Sequence, residues 1–273
     1  MRLYISADIE GVAGVVTNAQ TKVGGFEWQQ ARRWMTAEVG AAIAGARAAG
    51  ATDFVVSDSH GTGQNLLLDD LPEDVEVVRS WPRPLGMMQG IEHGSFDAAF
   101  LIGYHSAAHT PGGILAHTMS TRFIHSLRLN GEPASETGIS AGIAGHFGVP
   151  IVLASGDDMY GAEVKQCLPS ARFVQVKTAH GQTSARSMAP KMAQNKIEEA
   201  AQKSLSGAFP APTKISTPIR LEVTFQRREH AELLSYLPNF ERQDARTIGV
   251  TAGDMPSVSK IIMVIISLAP VDG

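Results

Sequence analysis

The chain has 273 residues, 44% of them hydrophobic and 18% charged, with a formal net charge of −4. That length and composition predict one large or two modest domains around a sizeable core, not a disordered chain. No basic run exceeds two residues and aromatics are only 6%, which excludes a clustered nucleic-acid surface, while Cys167 as the only cysteine excludes an intramolecular disulfide and cysteine-based structural zinc.

The start, MRLYISADIEG, enters a strand without the charged and apolar regions of a secretory leader. With the single cysteine, this points to a reducing cytoplasm. Leu3 to Ala7 reads as a buried strand, and Gly11 to Gly25 as a loop. From Phe26 to Ala49, the apolar positions Ala31, Met35, Val39, Ala42, Ile43 and Ala46 follow helical spacing, and Gly50 is a natural stop.

Phe54 to Ser57 is a second strand, Val75 to Val78 a weaker one, and Ala98 to Ile102 a fully apolar one. Met87 to Ile91 fits a short helix, and His105 to Leu115 is irregular. Arg122 to Leu129 fits a strand closed by the turn Asn130-Gly131. Ser135 caps a helix running to Phe147. Ile151 to Ala154 is a strand, Gly156-Asp157-Asp158 opens another helix, and Phe173 to Val176 is a further strand. Ala189 to Leu205 is helical.

Pro210, Pro212 and Pro218 mark the clearest linker. Beyond it lies a βαβα unit: Ile219 to Phe225, Glu229 to Tyr236, Arg246 to Val250 and Val258 to Leu268. The late apolar run Ile261 to Ala269 is too short to span a membrane. The expected fold is α/β: a mostly parallel, Rossmann-like sheet flanked by helices in three layers, with a second, smaller α+β domain. The expected division is residues 1–207 and 208–273, with part of 106–135 packing against the second domain.

Three polar clusters follow three of these strands: Asp8-Ile9-Glu10, Asp58-Ser59-His60, and His105. An open α/β sheet places its chemistry at that end. Asp8 and Glu10, two apart, point to one side of an extended segment, where two carboxylates repel unless a cation or a shared proton intervenes. The ordinary alternative is a solvated strand end. Asp58 fits a loop cap as well as a ligand. His105 is a better ligand than His109, and His117 fits a base, a ligand or a surface residue. Glu136 either complements a helix dipole or aims into the cleft.

Gly138-Ile139-Ser140-Ala141-Gly142 matches the GxSxG pattern, but Ser140 falls inside an amphipathic helix with no strand before it. Asp8, Glu10, His60, His105 and Glu136 together offer the mixed nitrogen and oxygen ligation that suits Zn²⁺, or Mn²⁺ or Co²⁺. Their −3 charge and a bridging hydroxide would bring a pair of divalent ions close to neutral, with Asp8 or Glu10 as a bridging carboxylate. Such a site hydrolyses amides or esters; a non-catalytic peptide-binding module is the rival.

The ordered segments SADIEG, VSDSHG, LIGYHS, AHTMS, SETGISAG and ASGDD resemble the D-aminopeptidase family M55, of the DppA type. The resemblance implies two zinc ions held by Asp8, Glu10, His60, His105 and Glu136, with His117 as the catalytic histidine. It also implies a ring-shaped homodecamer and a small substrate bearing an N-terminal D-amino acid, of the D-Ala-D-Ala type. A dinuclear amidase or esterase with a non-peptide substrate uses the same machinery.

Overall fold

The computed structural model describes residues 1–267. Its main element is a seven-stranded sheet. In chain order its strands are β1 (Arg2–Ala7), β2 (Asp53–Asp58), β3 (Val75–Val78), β4 (Ala98–Ile102), β7 (Ile151–Asp157), β8 (Arg172–Gly181) and β9 (Ser184–Ser187). Spatially they run β3-β2-β1-β4-β7-β8-β9. All neighbours are parallel except β8 and β9, which form an antiparallel edge hairpin. This bears out the mostly parallel sheet.

The central strands carry unbroken apolar runs because both faces are covered. Leu3, Ile5 and Ala7 of β1 enter one core, and Tyr4 enters the other. Helices α2 (Trp28–Ala48) and α5 (Pro190–Ser204) cover the first face. They cross very closely at Gly45, where a Cβ would fall 2.0 Å from the Glu198 carbonyl oxygen. On the second face lie α3 (Glu136–His146) and α4 (Asp158–Cys167).

A smaller, five-stranded antiparallel sheet adjoins that second core. It comprises β5 (Ile124–Leu129), β6 (Glu132–Pro133), β10 (Ile219–Phe225), β11 (Glu241–Arg242) and β12 (Thr247–Ala252), ordered β11-β12-β10-β5-β6. Helices α6 (Arg228–Leu234) and α7 (Met255–Ser267) accompany it. Residues 124–133 therefore share a sheet with strands nearly a hundred residues later in the chain. The helix α7 packs on α3, and Leu127, Leu221, Val258 and Ile262 belong to the same buried cluster as Tyr4 and Leu101.

Local differences from the sequence reading are few. The loop after β1 contains a short helix, α1 (Asn18–Thr21). The helix expected at Met87 to Ile91 is instead two 3-10 turns, Gly86–Met88 and Ile91–His93, separated by Gly90 with φ 99°. That positive φ interrupts an α-helix. The end of the last expected helix, Leu268, lies outside the described residues, as does Ala269. Among the described residues, no helix is long and apolar enough to cross a membrane.

Candidate metal centre

Strand order reverses at β1, which has β2 on one side and β4 on the other. Ala7 is in register with both Asp58 and Ile102, so the three strand ends are level. A crevice outside such a switch point is where open α/β sheets bind ligands. Asp8 leaves β1 there, His60 follows β2, and His105 follows β4. The turn after β4 depends on Gly103, whose φ is 72° and where a Cβ would lie 2.3 Å from the Asp8 carbonyl oxygen.

Glu136 enters from the opposite wall, in the first turn of α3. Ser135 caps that helix by accepting from Gly138 N at 3.0 Å. His117 arrives on the loop between β4 and β5. All six expected site residues thus converge, in two groups: Asp8, Glu10 and His60, and His105, His117 and Glu136. Within each group the available ligand atoms lie within 4.8 Å of one another.

Asp8 joins the groups. Its Oδ1 is 3.2 Å from His60 Nδ1, while its Oδ2 is 3.5 Å from His105 Nε2. Glu10 Oε2 lies 3.0 Å from His60 Nδ1, close but without hydrogen-bond geometry. Glu136 Oε2 is 3.4 Å from His105 Nε2, and its Oε1 is 3.7 Å from His117 Nε2.

Each histidine is turned by a backbone carbonyl. His60 Nε2 is 2.8 Å from Thr21 O, His105 Nδ1 is 2.9 Å from Ser106 O, and His117 Nδ1 is 2.9 Å from Leu115 O. Since a carbonyl can only accept, those nitrogens carry the proton and donate. In a neutral ring the other nitrogen then turns a lone pair toward carboxylate oxygens. Facing lone pairs need a proton or a metal cation between them. His105 Nε2 and Glu10 Oε2 are buried and have no hydrogen-bond partner. A ring held by a carbonyl, with its free nitrogen among carboxylates, is how metal-binding histidines are oriented. The residues present therefore fit a divalent cation.

With no metal bound, protons take the cation's place among these groups. Burial, followed by the neighbouring Glu10, pushes the Asp8 carboxyl up to about 7. Burial also penalises the charged forms of Glu10 and His60, but their mutual attraction wins: Glu10 is held well below the carboxylate range and His60 well above the imidazole range. The same opposition of burial and attraction holds His105 up and Glu136 down.

Asp58 turns away and accepts from the backbone N–H groups of Asn65 and Leu66, fixing the loop that carries His60. His109 is exposed in its loop. Ser140 is buried within α3, its Oγ 3.4 Å from the Tyr104 hydroxyl. It occupies no strand-to-helix elbow.

One supporting residue gave no sequence signal. Lys177, fully buried on β8, donates its ammonium to the carbonyls of Glu10, Val12 and Val15. Burial lowers this amine to about 8, against the pull of Asp157 and Glu38. A lysine near a strand end reads as solvated, and its three partners lie over 160 residues earlier.

Two cavities open on the cluster, and His60, Gly61, His117 and Met119 line both. One, of about 420 Å³, is the more polar of the two, with Glu10, Asn18, Lys22 and Gln182 beside Val23 and Leu115. The other, of about 290 Å³, holds Asp8 and Glu136 against an apolar wall of Trp81, Met87, Met263 and Ile266.

The family model of D-aminopeptidase, Peptidase M55, matches residues 1–264. A D-aminopeptidase of Bacillus subtilis (strain 168) is 28% identical over 272 residues, covering 98% of each chain. A solved structure, described as a zinc-dependent D-aminopeptidase DppA from Bacillus subtilis and a self-compartmentalizing protease, superposes with a TM-score of 0.92. It is 26% identical, over 98% of this chain and 97% of that one.

Proposed function

The chain belongs to the D-aminopeptidase family M55, and on that premise we propose that it is a dinuclear zinc enzyme removing N-terminal D-amino acids from short peptides, of the D-Ala-D-Ala type. It is a metal-dependent hydrolase of the peptidase class. The observation that carries the two-ion reading is Asp8, which offers one oxygen to each ligand group. Asp8, Glu10 and His60 would hold one zinc, and His105 and Glu136, with the second oxygen of Asp8, would hold the other.

Zinc bound there supplies Lewis-acid polarisation of the scissile carbonyl and lowers the pKa of a nearby water. The rest belongs to the chain. His117 donates Nδ1–H to Leu115 O, which leaves Nε2 as the atom that takes and returns a proton. Stacking on His105 holds that ring in place. Glu136 Oε1 accepts from Met119 N at 2.6 Å, so the carboxylate cannot swing away. The polar and apolar cavities receive the two ends of the peptide.

The relative described as self-compartmentalizing supports a homo-oligomer, and we propose the ring-shaped homodecamer. We place the enzyme in the cytoplasm on the strength of its lone cysteine. A zinc-loaded screen tests the reading with D-Ala-p-nitroanilide, its L-isomer, and an acyl amide lacking the free amine. Preferential turnover of the D-isomer is expected. Preference for the acyl amide assigns an amidase instead, and full activity after metal removal overturns the metal requirement.

A further inference from the structure

The polar cavity holds one lysine, and its neighbour ties it to the reaction centre. Lys22 follows Thr21, whose carbonyl accepts from His60 Nε2. The Lys22 carbonyl in turn accepts from Gly25 N at 2.9 Å, which closes a turn at the cavity edge. The Lys22 side chain is exposed, and among the described residues its ammonium makes no ion pair or hydrogen bond. Asn18, Thr62 and Gln182 add neutral polar groups around it.

The second cavity offers no such cation. Its one arginine, Arg83, is buried and donates to Ser57 Oγ and to the carbonyls of Asp58, Val78 and Ser80. Beyond the histidines that both cavities share, the rest of the cavity's charged lining is the carboxylates of Asp8 and Glu136, set against Trp81, Met87, Met263 and Ile266. A substrate carboxylate entering there would face like charge and an apolar wall with no free side-chain ammonium or guanidinium, and that costs heavily. In the polar cavity it meets an unpaired ammonium, and charge-assisted hydrogen bonds are the strong ones.

We propose that Lys22 binds the free C-terminal carboxylate of the peptide, so that the leaving residue occupies the polar cavity and the N-terminal side chain the apolar one. The site then selects very short peptides with an unblocked C-terminus. This inference rests on the peptidase reading above. Lys22 is a specificity-determining residue and takes no part in bond cleavage.

The test compares D-Ala-D-Ala with its C-terminal amide, as the ratio of their kcat/KM values, in the zinc-loaded full-length enzyme. The wild type is expected to favour the free acid by about ten- to a hundredfold, the range of a hydrogen bond to a charged group. Lys22→Met should bring that ratio close to one, chiefly through a higher KM for the acid, and Lys22→Arg should keep most of it. Circular dichroism and zinc content of both variants should match the wild type, because the side chain is exposed. Equal cleavage of acid and amide by the wild type overturns the inference, as does a Lys22→Met ratio unchanged from wild type. Turnover of neither peptide by the wild type sinks the peptidase reading itself.

Discussion

The imidazole of His117 stacks face to face on that of His105, with ring centroids 4.1 Å apart and planes within 12°. One ring leads to the proposed zinc site and the other to the proposed proton transfer, so the two functions share a wall. His117→Ala removes the proton carrier but leaves Asp8, Glu10, His60, His105 and Glu136 in place. Zinc content should stay near the wild-type value, while kcat falls by at least about a hundredfold, the usual size of a general acid–base contribution. Loss of half the zinc in this variant would instead make His117 a ligand.

His60→Ala acts differently. The ring is the nearest neighbour of both Asp8 and Glu10 in the first group. Its removal leaves two buried carboxylates facing each other. Zinc and activity should disappear together, as read by elemental analysis and turnover of a D-aminoacyl substrate.

Lys177 secures the segment that carries Glu10. Lys177→Met strips three buried carbonyls of their donor, at a cost of roughly 1–3 kcal/mol for each group left unpaired. The variant should melt earlier and bind zinc more weakly in a chelator competition. Unchanged zinc affinity in a folded Lys177→Met protein would show that Glu10 is positioned without it.

Glu38 supports the same segment by accepting from Ala13 N at 2.9 Å, and burial pushes its carboxyl up to about 7. A carboxyl raised in the folded state binds its proton there and not in the unfolded chain across the window from about 4.5 to 7. Stability from this group is therefore full below the unfolded value and is lost as pH rises through 7. The shift corresponds to something on the order of 3 kcal/mol. Glu38→Gln keeps the acceptor and removes the titration. Urea unfolding at pH 5 and pH 8, with chelator present throughout, should show a loss that is smaller in the variant than in the wild type, because Asp8, raised to about 7 as well, still titrates in both.

Much of this centre was legible because parallel strands advertise themselves. Phe54-Val55-Val56 and Ala98 to Ile102 are apolar on both faces, so the polar residues that follow each run have to lie beyond the carboxyl end of the strand. Glu136 was legible as a helix start, though dipole and ligand readings use the same residue. Lys177 and the Thr21 carbonyl were not legible, since neither their chemistry nor their local pattern differs from that of ordinary surface groups. The strand β9 was missed for a simpler reason: Ser184-Ala185-Arg186-Ser187 has no apolar alternation, and pairing with β8 alone makes it a strand. The apolar wall of Trp81, Met87 and Met263 is assembled from three separate segments, and a linear pattern carries no trace of it.

The helix α7 contributes Met263 and Ile266 to the same cavity as Asp8. Every proposed zinc ligand has left the ribosome's catalytic centre by residue 136, but this wall arrives more than a hundred residues later. At ordinary translation speeds of about 5–20 residues per second, that gap is roughly ten seconds. During it the nascent chain can carry its ligands but has no complete pocket to seat a substrate. That cavity is therefore complete only once residue 266 has been made and α7 has docked, a delay written into the order of synthesis.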